Sequence, residues 1–89
     1  MSTADQIAAR LADCRLLMGA VQAQIDAWAD IIARMPPGRP ALVHAYHAQY
    51  RLRGRLADLE RRIRALERAS RLASETRGGL DSGSANVAP

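Results

Sequence analysis

The sequence predicts an all-α fold, an antiparallel two-helix coiled-coil hairpin with a disordered C-terminal tail. Three observations predict it. Apolar residues recur in alternating steps of four and three along two long segments. A bend of Pro36-Pro37-Gly38-Arg39-Pro40 separates the segments, and after Gly78-Gly79 the composition turns small and polar. The chain therefore divides into a hairpin over residues 1–75 (helix 3–35, turn 36–40, helix 40–75) and a tail over 76–89.

The first helix opens on a capping-box signal, Thr3 followed three residues later by Gln6. Its apolar positions are Ile7, Leu11, Cys14, Met18, Val21, Ile25, Trp28, Ile32 and Met35. With Ile7 at a d position and Leu11 at an a, they form a seam of four heptads for coiled-coil packing. Pro36 and Pro37 cannot continue this helix, whereas Pro40 is well suited to the first helical position of the next. A link so short permits only an antiparallel return.

The second helix repeats the stripe as Leu42, Ala45, Gln49, Leu52, Leu56, Leu59, Ile63 and Leu66, weakening through Ser70 and Ala73. Folded about the bend, the two stripes make a ladder that begins with Met35 facing Leu42. Ile32 then faces Ala45, Trp28 faces Gln49, Ile25 faces Leu52, Val21 faces Leu56, Met18 faces Leu59, Cys14 faces Ile63 and Leu11 faces Leu66. Each layer pairs an a with a d, and large Trp28 and Ile32 meet the slimmer Gln49 and Ala45. Arg15 is expected near Glu60, an exposed pair worth under about 1 kcal/mol. The segment LDSGSANVAP that follows Gly79 lacks the apolar area needed to order itself.

At 89 residues and 9.7 kDa the chain is one small domain. Such domains bury only about 60% of the surface their unfolded chain exposes, and a two-helix hairpin buries one stripe per helix. The single cysteine excludes an internal disulfide, so the hairpin is expected to be oligomeric or partner-bound. Outside the seam lie Leu16, Leu17, Ile31, Val43, Tyr46, Tyr50 and Leu72. Leu17 and Ile31 flank one side of the first helix, and Tyr46 belongs to the other side of the hairpin. Leu16, Leu17, Ile31, Val43, Tyr46 and Tyr50 are the candidate interface toward a protein partner, which includes a second copy of the chain.

His44 and His47, three apart on one helix face, are the only residues spaced for a metal half-site or an acid–base pair. Cys14 would lie at the far end of the hairpin and behave as a small core hydrophobe. The sequence has no Gly-rich phosphate loop, nucleophile elbow, paired-carboxylate arrangement or HExxH motif. The expectation is a protein without catalytic, cofactor-binding or metal residues.

The net charge is +4, and all 13 basic residues are Arg. The first helix has three Arg against four Asp, while the second, to residue 75, has eight Arg against four acidic residues. Arg61, Arg64, Arg68 and Arg71 step along its outward face as a candidate anion-binding stripe. The acid-first pairs Asp58–Arg62, Glu60–Arg64 and Glu67–Arg71 offset that stripe, as on a solvated helix. A basic nucleic-acid-binding regulator is the rival to a protein-interaction module. The longest uncharged runs, Leu16 to Ile25 and Pro40 to Tyr50, reach about half the roughly 20 residues of a membrane span. The N-terminal segment carries Asp5 and Asp13 and lacks the pattern of a signal peptide, so a reducing cytoplasm is the expected compartment.

The Pro37-Gly38-Arg39-Pro40 turn between two long helices resembles the P-x-x-P turn of type III secretion needle subunits. The resemblance spans four residues and the hairpin architecture, and the polar segment after Gly78 departs from needle subunits, which end in helix. Secretion-machine subunits and co-chaperones, and phage-encoded inhibitors, are helical hairpins of this size. The likeness implies an adaptor, inhibitor or assembly subunit of bacterial or phage origin.

Overall fold

Two helices make up the computed structural model, which describes the backbone of residues 2–87 and the side chains of residues 2–75. Helix α1 spans Thr3–Arg34 and α2 spans Pro40–Val87. They pack side by side as the antiparallel hairpin.

Ser2, one residue before the expected cap, holds the start of α1. Its backbone is extended (φ −74°, ψ 162°), its hydroxyl accepts from the Asp5 amide at 3.1 Å, and its carbonyl accepts from the Gln6 amide at 3.0 Å. Thr3 is already helical, and Asp5 in the first turn places a negative charge where the helix dipole favours it. At the other end Met35 is extended (φ −78°, ψ 135°), as the residue before a proline must be, and its amide still donates to the Ile32 carbonyl at 3.2 Å. Pro37 and Gly38 form the turn, with Gly38 at φ 84°, the left-handed conformation that a type II turn needs at its third residue. Pro40 is the first helical residue of α2, and the Leu42 amide donates to the Arg39 carbonyl at 3.0 Å.

The seam is the one the periodicity predicts. In α1 and its cap residue Met35, every side chain that is not exposed belongs to the predicted stripe, apart from Ala4, which extends it one step of three before Ile7. In α2 all the predicted positions from Leu42 to Ala73 are buried or half-buried, joined by Ala48, Ala57, Glu67 and Ala69 alongside. Val21, Ile25 and Leu59 form the centre of the core, with Met18, Leu52 and Leu56 packed against them. The core is thin: Ala45 is wholly enclosed, but Trp28, Ile32 and most of the seam leucines remain half-buried.

Gln49 is the buried polar residue of this seam. Its amide nitrogen donates across the hairpin to the backbone carbonyl of Ile25 at 3.4 Å, one helical turn from the expected facing residue Trp28. A polar group at an a position commonly fixes coiled-coil register at some expense of stability, and this cross-helix bond ties α2 to one level of α1.

Arg15 pairs with Glu67 at 3.8 Å and not with the expected Glu60. The reason is the direction of helical side chains, which lean toward the N-terminus of their own helix. Arg15 leans away from the turn and Glu67 leans toward it, so the two approach each other, while Glu60 leans away from Arg15. The pair is half exposed and worth under about 1 kcal/mol.

The backbone of α2 takes in Gly78 and Gly79, beyond the boundary that composition set at residue 75. The disordered tail expected over residues 76–89 lies outside the residues whose side chains are described.

Candidate interaction surface

The seam leaves the hairpin with two flanks, where α1 and α2 run beside each other, and two outer ridges. The contacts define which residue belongs to which flank. Arg10, Asp13, Arg62 and Ala65 line one shallow groove, and Gln24, Ala48, Arg51 and Arg55 line another, all on the same side of the seam. At helical spacing Leu17 and Ile31 fall in the same row as Arg10 and Gln24, so they share this flank. On the opposite flank Arg15 meets Glu67, and Tyr46, Tyr50 and Arg53 line an open groove together with Gln49, His47 and Arg51.

The six candidate interface residues are all exposed, but they do not form one patch. Val43, Tyr46 and Tyr50 lie together near the turn on the flank of Arg15 and Glu67, exposed by 57%, 53% and 80%. Leu17 and Ile31 are on the other flank, and Leu16 stands alone on the outer ridge of α1. Arg53, absent from the six, continues the row of Tyr46 and Tyr50. The step of four and then three from Tyr46 to Tyr50 to Arg53 carries that signal in the sequence.

The arginine stripe is also divided. Arg64, Arg68 and Arg71 surround a small groove with Glu67 among them, whereas Arg61 donates to Asp58 one turn back. A phosphate approaching this face would meet three guanidinium groups and one carboxylate. Glu67 in turn is held by Arg15 from the other helix.

His44 and His47 are both exposed on α2, and His47 lines the tyrosine groove. Cys14 is free and half-buried between Arg10, Asp13, Arg62 and Leu66, at the other end of the hairpin from the histidines. Among the described residues no three His, Cys, Asp or Glu side chains are grouped as metal ligands. No helix is long and apolar enough to cross a membrane among them either. Comparison with family models, with curated proteins and with solved structures finds no match for this chain.

Proposed function

We propose that this chain is a non-enzymatic protein–protein interaction module of the cytoplasm, a helical hairpin that self-associates or docks on a larger partner as an adaptor, inhibitor or assembly subunit. One observation carries the reading: Val43, Tyr46 and Tyr50 are adjacent and exposed beside a seam that is already complete. An aromatic side chain buries about 150–250 Å², and tyrosine adds a hydroxyl that tolerates water, which is why it is enriched at protein interfaces. The thin core gives a second reason, because a hairpin with few enclosed side chains gains most from added burial. The Pro37-Gly38-Arg39-Pro40 turn supports the secretion-subunit type, and the size of the hairpin suits the phage-inhibitor type as well. Light scattering on the purified chain, together with pull-down on immobilised chain, tests the reading. A self-associated species or a stoichiometric protein partner supports it. A stable monomer that recovers no partner overturns it.

Nucleic-acid binding is the second reading, favoured by Arg64, Arg68 and Arg71 around one groove of α2. Neutralising several phosphates would make affinity fall steeply with salt, with a slope of about −0.9 per phosphate on duplex DNA. Titration of duplex and single strands across salt decides it, and absence of binding in about 50 mM salt removes it.

A further inference from the structure

We infer that the flank bearing Val43, Tyr46 and Tyr50 is covered by the same flank of a second copy of this chain, giving a two-fold four-helix bundle with both turns at one end. The inference rests on the interaction-module reading and names its occupant.

Charge separates the two flanks. On the tyrosine flank Arg15, Arg53, Arg64 and Arg71 are matched by Asp5, Asp26, Glu60 and Glu67. The other flank carries Arg10, Arg34, Arg55 and Arg62 against only Asp13 and Asp58, and Arg51 lines a groove on each flank. Two copies can therefore meet through the tyrosine flank without net repulsion, whereas the other flank would bring like charge against like. A foreign partner of strong single-sign charge would find nothing complementary on the neutral flank.

Size and charge also match in detail under one symmetry. With the two-fold axis parallel to the helices and the turns at the same end, α1 of one copy lies antiparallel over α2 of the other at the hairpin's own levels. Tyr46 and Tyr50 then lie over the small Ala29 and Ala33 of the second copy, and Ala57 lies near its Gly19. Arg53 comes level with Asp26 of the second copy, and Glu67 leans toward its Arg15 as it does within the chain. Asp26 accepts a hydrogen bond from Gln22 within the chain, and Arg53 has no ion-pair partner among the described residues.

The area is sufficient. The hairpin is 18 Å across its wider section, and the 32 residues of α1 run about 48 Å, so one flank offers on the order of 860 Å². A stable interface of standard size takes about 800 Å² from each partner.

The full chain, the Tyr46→Glu/Tyr50→Glu variant and a Leu16→Glu control go through light scattering at matched concentrations, with circular dichroism to confirm that each is helical. The expected result is twice the 9.7 kDa mass for the native chain and for Leu16→Glu, falling to the single mass for the double variant. Spin labels on an Arg39→Cys, Cys14→Ser chain then report the turns. A short label-to-label distance is expected, whereas turns at opposite ends would be separated by about the 48 Å of the hairpin. A native monomer, a double variant that stays dimeric, or the long distance overturns the inference. A native monomer that still captures a protein partner overturns it while leaving the interaction-module reading in place.

Discussion

Replacing Gln49 with leucine should make the hairpin more stable and less specific. Gln49 is 7% exposed and makes one cross-helix bond, to the Ile25 carbonyl at 3.4 Å. A neutral bond at the long end of the range contributes toward the lower limit of about 0.5–1.5 kcal/mol. That figure already includes the desolvation of the amide, so Gln49 contributes little to stability. Burying leucine there contributes about 1.5–3 kcal/mol relative to exposure. The Ile25 carbonyl faces no orphaning, because within α1 it also accepts the ordinary helical bond from four residues on. The net expectation for Gln49→Leu is a gain of about 1–2 kcal/mol, lowered from the difference of these terms because the surrounding seam is only half-buried.

Urea unfolding at fixed chain concentration measures it, since self-association would otherwise shift the midpoint. With a slope of about 1 kcal/mol per molar urea, the midpoint should rise by about 1–2 M. The loss of specificity is read separately, by cysteines at Val21 and Leu56 in a Cys14→Ser background. These face each other in the ladder and should crosslink within the chain, and Gln49→Leu should divert part of the product to crosslinks between chains or to slipped registers. A midpoint that falls in Gln49→Leu would refute the reasoning, because it would mean the amide contributes more through its bond than leucine does through burial.

Ile25→Ala, at the centre of the core, should cost about 2–3 kcal/mol, near the lower end for core truncations because so thin a core can relax around the gap, while Leu16→Ala should stay within about 0.5 kcal/mol; urea midpoints compare the two. Ser2→Ala should lower stability by about 0.5–1 kcal/mol and speed amide exchange at Asp5, whereas Thr3→Ala should do neither. Gly38→Ala should cost about 1–2 kcal/mol in thermal unfolding, a purely conformational penalty, because a methyl group there meets nothing within 4 Å. The Arg15–Glu67 pair should show a coupling under about 1 kcal/mol in a double-mutant cycle, fading in high salt.

The seam was legible because a period of 3.5 residues is a property of the sequence alone, and two seams joined by five residues can close in only one direction. The exposed set was legible for the same reason, as its complement: Leu16, Leu17, Ile31, Val43, Tyr46, Tyr50 and Leu72 are the large hydrophobics left exposed among the described residues. What escaped involves direction. A ladder treats each rung as flat, so it placed Glu60 beside Arg15, but side chains lean along the helix and Glu67 is the residue that leans toward Arg15. The cap was missed by one residue because Ser2 with Asp5 and Thr3 with Gln6 are overlapping signals, and spacing does not rank them. Gln49 was legible as a polar residue in the seam, but its acceptor was not, since a backbone carbonyl carries no sequence signal.

The +4 charge takes a different meaning when the molecule is divided by flank and not by helix. By helix, α2 is basic, and attention goes to Arg61, Arg64, Arg68 and Arg71. Yet Arg61 is engaged by Asp58, and Glu67 stands among the other three. By flank, the excess falls on the side of Arg55 and Arg62, where Asp13 and Asp58 leave two of four arginines unbalanced and Arg51 lines the groove as well. Arg51 to Arg62 spans about 16 Å of helix, two Debye lengths at physiological salt, so a polyanion lying along it would feel these charges together, while an isolated ion would not. Closing the tyrosine flanks on each other leaves both basic flanks facing outward. In that bundle, self-association and attraction of a polyanion would use opposite sides of the hairpin, and a dimer would present two basic faces where a single chain presents one.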